Sequence, residues 1–185
     1  MKIKNKFESY APLMHQYEYE FIATYLNQDD ILLEWGSGNS TIFWSGIVKK
    51  VISIEHDIDW INTIKKIIDF HDIKNIDLHH VRAHSPDPKP CRYAQFKDYV
   101  NFPIKEKFQF TKVLIDGRAR KYCAKSLLNT IDENVIVFIH DFSRPDYQKT
   151  LKYYDIVDIV KEGQWIVALK KKSNLGEISS LQSEY

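Results

Sequence analysis

Residues 31–41, Ile31-Leu32-Leu33-Glu34-Trp35-Gly36-Ser37-Gly38-Asn39-Ser40-Thr41, decide the fold. The apolar run with a single acid reads as a short strand, and the two glycines place a sharp turn at its end. Asn39, Ser40 and Thr41 are residue types that cap or open a helix. A strand that turns through glycine directly into a helix leaves backbone N–H groups pointing out of the turn, toward a carboxylate or phosphate. By itself such a turn is a weak signal, because any tight strand-to-helix connection can use it.

Outward from this segment the same alternation repeats. Strands are expected at Ile31–Trp35, Val51–Glu55, Ile76–Val81, Lys112–Asp116 and Val135–His140. Between them Tyr17–Leu26, Ser40–Val48, Ile58–Phe70 and Arg120–Ile131 space their apolar residues at three and four, as helices packed on a sheet do. The expected fold is therefore α/β: a doubly wound, mostly parallel, Rossmann-like sheet with helices on both faces. Tyr153–Val160 and Gln164–Lys170 are separated by Lys161-Glu162-Gly163 alone, which reads as a hairpin. A hairpin cannot join parallel neighbours, so one of these strands enters the sheet in the antiparallel sense near an edge. Residues 171–185 are polar and read as a frayed tail. A single domain over 1–185, with its core at about 16–170, is the expected organisation.

The stretch from His84 to Phe110 contains Pro86, Pro88, Pro90 and Pro103, which argue against a long helix. Its Arg92, Tyr93, Phe96, Tyr99 and Phe102 suit either a loop covering a polar ligand or aromatics packed on the core. The bulk numbers narrow the function classes. Hydrophobic residues are 44% and charged residues 28%, and 26 basic against 25 acidic side chains leave a net charge of +1. That balance lacks the footprint of a dedicated nucleic-acid binder. The chain shows no apolar run of bilayer length and no secretory signal after its basic N-terminus. Its two cysteines, Cys91 and Cys123, fit a reduced, cytoplasmic setting.

The second strand, Val51-Ile52-Ser53-Ile54-Glu55, runs apolar and stops on an acid that can accept ribose hydroxyls. With it the chain resembles the class I S-adenosylmethionine-dependent methyltransferases, whose first motif is acid-x-Gly-x-Gly and whose second strand ends in an acid. Glu34, Gly36 and Gly38 match the first motif and Glu55 matches the ribose acid. The resemblance implies S-adenosyl-L-methionine held by Glu34, Gly36, Ser37, Gly38, Asn39, Ser40 and Thr41, with Glu55, His56 and Asp57 beside ribose and adenine. Val113-Leu114-Ile115-Asp116-Gly117-Arg118 and Phe138-Ile139-His140-Asp141-Phe142 match the ends of the family's fourth and fifth strands. Those ends face the methyl donor and acceptor. The pattern, which spans about residues 30–170, looks more like small bacterial or viral methyltransferases, some associated with glycan genes, than like the nucleic-acid branches. The Asn-Pro-Pro-Tyr of those branches is missing.

Two other readings compete. A nicotinamide-dependent oxidoreductase needs Gly-x-Gly-x-x-Gly, and here the third position is Thr41. A non-catalytic ligand-binding domain uses the same fold. A P-loop enzyme is excluded for want of Gly-x-x-x-x-Gly-Lys-Ser/Thr. For methyl transfer to oxygen, Asp116, His140 and Asp141 are the expected catalytic residues, with His84 a weaker base. His140 could instead be a buried histidine ending its strand. Asp116 and Asp141 could also hold Mg2+ to acidify the acceptor, although a third ligand is not evident. Arg118 and Arg144, with Tyr99 and Arg92, are expected on the acceptor, and Arg120 belongs to the same rim; the arginines could equally pair with nearby acids. From the resemblance and this polar rim, a sugar or glycan hydroxyl is the expected acceptor, with no membrane or nucleic-acid partner. Trp35, Trp44, Trp60 and Trp165 are read as packing residues.

Overall fold

A computed structural model describes residues 5–84 and 92–175 of the chain. Its centre is a seven-stranded sheet in the order β3-β2-β1-β4-β5-β7-β6. The strands are β1 (Ile31–Trp35), β2 (Lys50–Glu55), β3 (Ile76–His80), β4 (Lys112–Ile115), β5 (Ile136–His140), β6 (Tyr154–Val160) and β7 (Ile166–Lys171). The first five are parallel, and β7 lies antiparallel to both β5 and β6. The expected hairpin is present, with β7 as the reversed strand and β6 at the edge.

Alternation along the strands divides the core into two faces. Leu33, Trp35, Ile52, Ile54, Val113, Ile115, Val137 and Ile139 pack under α4 (Tyr93–Lys105) and α5 (Arg120–Ser126). Leu32, Val51, Leu114, Ile136 and Phe138 pack under α1 (Gln16–Ala23) and α2 (Asn39–Ser45). On that second side α2 meets α3 (Ile58–Phe70) through Ile42 and Ile64, and Phe7 closes the cluster. The core thus begins before residue 16: Phe7 and Asn5 are buried, and Asn5 donates to the Phe43 carbonyl oxygen at 2.8 Å. A short α6 (Pro145–Gln148) follows β5. No helix among the described residues is long and apolar enough to cross a membrane.

Helix α4 corrects the expectation that prolines keep the 84–110 stretch from forming a long helix. Pro103 lies in its last turns, and Phe96 departs from helical geometry. Proline removes the N–H that would bond the carbonyl of Tyr99, four residues earlier. The Trp35 indole N–H donates to that carbonyl at 3.0 Å, so the interruption leaves no buried acceptor unpaired. Pro86, Pro88 and Pro90 lie outside the described residues.

Candidate functional site

The site lies where the carboxyl ends of β2, β1, β4 and β5 stand side by side. Gly36 closes β1 with φ +96°, and a Cβ there would stand 2.6 Å from the Gly117 backbone after β4. A Cβ at Gly117 would stand 2.1 Å from the Tyr99 hydroxyl oxygen. The β1–α2 turn and the loop after β4 therefore touch backbone to backbone, which only glycine permits. Gly38 differs. Its backbone is extended, and an added Cβ would meet nothing closer than Trp60 at 3.7 Å. The sharp turn expected of both glycines is thus made by Gly36 alone, and Gly38 leaves open a cradle in the cleft floor.

Glu34 is fully buried and fastens this turn from beneath. Its carboxylate meets the hydroxyls of Ser40 at 2.5 Å, Thr41 at 2.5 Å and Ser53 at 2.7 Å. Thr41 in turn accepts from the Gly38 N–H at 2.9 Å. Burial raises the Glu34 pKa to about 7, against the opposing hydroxyl bonds and with a further push from the Asp116 charge.

On β2, Glu55 accepts from Ser37 N–H on Oε2 at 3.0 Å, and from His56 and Asp57 N–H on Oε1 at 2.8 and 2.9 Å. A carboxylate offers about four acceptor positions, so one, on Oε2, is left for a ligand hydroxyl. Asp57 turns away and caps α3, accepting from Asp59 and Trp60 N–H. The Trp60 indole N–H donates to the Ser37 carbonyl oxygen, which brings this half-exposed ring to the cleft wall. The four tryptophans read as packing residues do pack, Trp35 and Trp44 wholly buried and Trp60 and Trp165 against the core, and Trp60 also lines the cleft.

On the other side, His140 ends β5, buried, with Nδ1 2.8 Å from Asp116 Oδ1 and Nε2 3.1 Å from Glu18 Oε2. Glu18, on α1, is itself fully buried; it also accepts from the N–H groups of His15 at 2.8 Å and Gln164 at 2.9 Å. Burial alone would lower the His140 pKa, yet the Asp116 hydrogen bond and charge, with Glu18, raise it above its ordinary value while Arg120 opposes them. Arg120 reaches Asp116 at 3.1 Å and Asp141 at 3.2 Å, and donates to the carbonyl oxygens of Gly117 and His140. Asp141 sits in left-handed backbone at φ 59°, its carboxylate fixed by Arg120 and by Arg144 at 2.9 Å.

These elements enclose a cleft of about 250 Å3. Gly36, Ser37, Gly38, Asn39, Ser40, Glu55, His56, Asp116 and Arg118 line it, joined by Leu13, Trp60, Gly117 and Arg120. Other expected site residues do not line it. Glu34, Thr41, His140 and Asp141 are buried behind the wall, Asp57 is exposed outside it as the cap of α3, and Tyr99 is enclosed in the core, against Gly117 and with its ring 5.9 Å from that of His56. Arg92 opens α4 and lies outside the lining, Arg144 is exposed and holds Asp141, and His84 pairs with Asp98 at 2.8 Å on a different surface.

The sequence matches no protein-family model and no curated protein. Solved structures do match. A methyltransferase-like protein from Silicibacter pomeroyi superposes with TM-score 0.70 at 22% identity, over 93% of this chain and 94% of that one. The chain has the class I methyltransferase fold. An rRNA methylase from Streptococcus thermophilus (TM-score 0.59, 13% identity, 87% of this chain and 99% of that one) shares it. So does a Streptococcus mutans protein assigned as a methyltransferase and solved in complex with SAH (TM-score 0.56, 12% identity, 86% and 100%).

On a methyltransferase fold the cofactor belongs at the β1–β2 end, and the residues there fit it. The Gly38 cradle is open, the loop backbone faces the cleft, and Glu55 keeps one acceptor position. A divalent metal fits poorly, because the cation between Asp116 and Asp141 is the Arg120 guanidinium. No three acids, histidines or cysteines among the described residues group as metal ligands. The sequence reading missed Glu18, Trp60, Leu13 and Gly117. Of these only Gly117, adjoining the acid of the fourth strand, carried a local signal.

Proposed function

We propose that this protein is an S-adenosylmethionine-dependent methyltransferase acting on a hydroxyl of a small polar acceptor, with a sugar the class its rim suits best. The observation that carries the reading is Asp116. It is the one acid of the β4–β5 group that lines the cleft, its side chain 21% exposed, and it faces the loop that would hold the cofactor. S-adenosylmethionine, when bound, supplies an electrophilic methyl group. The loop of Gly36 to Ser40 and the remaining acceptor position of Glu55 hold and orient it. Asp116 accepts the hydrogen bond of the acceptor hydroxyl and takes its proton as the oxygen is alkylated. His140 and Arg120 fix the Asp116 carboxylate in place, so His140 acts behind the acid as a positioning residue and not as the base. Arg118, also in the lining, is the acceptor-side cation.

With Arg120 occupying the space between the two aspartates, no Mg2+ is required, and transfer continues in EDTA. Cys123, buried and held well above the ordinary thiol range by that burial, suits a reduced, cytoplasmic setting. The test is a radiolabelled methyl-transfer screen over sugars, nucleotides and RNA, paired with calorimetric binding of S-adenosylhomocysteine. Asp116→Asn is expected to cut turnover by roughly 10²–10⁴-fold with little change in cofactor affinity. Full turnover in that variant would remove Asp116 from the chemistry. Stabilisation by NAD and not by S-adenosylmethionine would overturn the reading altogether.

A further inference from the structure

The charged groups that line the cofactor cleft are not matched alike. Glu55 is met by three backbone N–H groups, and His56 Nδ1 stands 2.6 Å from its Oε1. Asp116 is met by His140 and Arg120. Arg120, its side chain 10% exposed, engages four oxygens, those of Asp116 and Asp141 and the carbonyls of Gly117 and His140. Arg118 is the exception. It is half-buried in the same lining, and among the described residues its guanidinium has neither an ion pair nor a hydrogen bond. Ala119, between the two arginines, sits in left-handed backbone at φ 55°, a conformation costly for a residue with a Cβ and kept where the surroundings enforce it. The two cations on either side of it are thus divided: Arg120 belongs to the acids of the wall, and Arg118 is left for whatever enters the cleft.

A guanidinium presents its N–H donors as a planar fork, which a carboxylate accepts with both oxygens. One unmatched positive charge fits a monoanion, whereas a phosphate ester carries about two negative charges at pH 7 and would leave one of them beside Asp116 and Glu55. Arg118 lies two residues beyond Asp116, on the acceptor side of the cleft. We propose that the methyl acceptor is a hydroxylated carboxylic acid, a sugar acid and not a neutral sugar, its carboxylate held by Arg118 while one of its hydroxyls meets Asp116. This rests on the methyltransferase reading above and names its substrate class. The hydroxyl oxygen gains the methyl group as its O–H bond breaks. The proton goes to Asp116, the electron pair of the broken C–S bond stays on sulfur, and the carboxylate is unchanged.

The test is calorimetric and needs no turnover. S-adenosylhomocysteine is titrated first, and its failure to bind would fault the methyltransferase reading itself. The protein saturated with it is then titrated with matched pairs, glucuronate against glucose and galacturonate against galactose, and with glucose 6-phosphate. At least one acid is expected to bind about tenfold or more tightly than its neutral partner, as a charged hydrogen-bonded contact should give. Arg118→Gln, which breaks no side-chain bond among the described residues and is expected to fold as the wild type does, should erase that preference and leave S-adenosylhomocysteine affinity within about twofold. With S-adenosylhomocysteine bound, no preference for an acid in either pair, or a preference that survives Arg118→Gln, would overturn the proposal and leave the cofactor reading standing. A tenfold loss of S-adenosylhomocysteine affinity in Arg118→Gln would assign Arg118 to the cofactor's own carboxylate and overturn it as well. So would tighter binding of glucose 6-phosphate than of either acid. In the methyl-transfer screen the product should be a base-stable ether, and a base-labile methyl ester would show that the carboxylate itself is the acceptor.

Discussion

The two halves of the sheet's carboxyl edge hold their acids by different means. At the β1–β2 end, Glu34 is gripped by three hydroxyls and Glu55 by three backbone N–H groups, all from segments within about twenty residues in sequence. At the β4–β5 end, Asp116 and Asp141 are held by the charges of His140, Arg120 and Arg144, and the arrangement is completed by Glu18 from the other end of the chain. Neutral donors from a local turn make a rigid seat for a bound molecule. Paired charges fix Asp116 in place, partly exposed and beside that seat, which suits a group that must handle a proton.

The largest expected effect comes from breaking the second half at its remote anchor. Glu18→Ala removes a carboxylate from a buried ion pair and strands two backbone N–H groups, so a loss of about 3–5 kcal/mol in unfolding free energy is expected by urea denaturation. Glu18→Gln keeps the shape and should lose less. The sign with pH follows from His140. Its folded pKa is raised, so its contribution is full below pH 6.5 and fades as pH rises through the elevated value. A wild-type protein no less stable at pH 9 than at pH 6, relative to Glu18→Gln, would contradict the charged pairing.

The first half gives a different signature. The Glu34 pKa rises from 4.5 to about 7 on folding, so the folded state holds the proton more tightly. The contribution of Glu34 to stability is therefore full below about pH 4.5 and falls between there and about pH 7, by roughly 3 kcal/mol. Glu34→Gln should flatten that slope. Identical pH curves for variant and wild type would mean that the turn is not seated on a buried, titrating acid. The smallest effect belongs to Asp57. As the cap of α3, its replacement by Ala should cost about 1 kcal/mol of stability and leave binding of S-adenosylhomocysteine unchanged. A large loss of affinity would return Asp57 to the ligand side.

The sequence by itself determined the strand positions, the glycine turn after β1, the acid ending β2 and the reversed C-terminal strand. Each is written in short-range patterning: period-two alternation, a glycine at φ +96°, and a linker too short for a crossover. Tertiary structure alone decided which of the expected site residues reach the cleft. Glu34 reads as a cofactor residue and His140 as either a base or a buried strand end, and neighbouring segments bury both away from the cleft, while Trp60 reads as core and also comes to the wall through its bond to Ser37. Helix α4 was illegible because the partner that makes Pro103 tolerable, the Trp35 indole, lies 64 residues before Tyr99. Glu18 left no trace in local pattern, since an acid in an amphipathic helix reads as solvated until β5 places His140 against it, 122 residues later. Propensity and periodicity act over a few residues, whereas the charge network that positions Asp116 exists only once distant elements have packed.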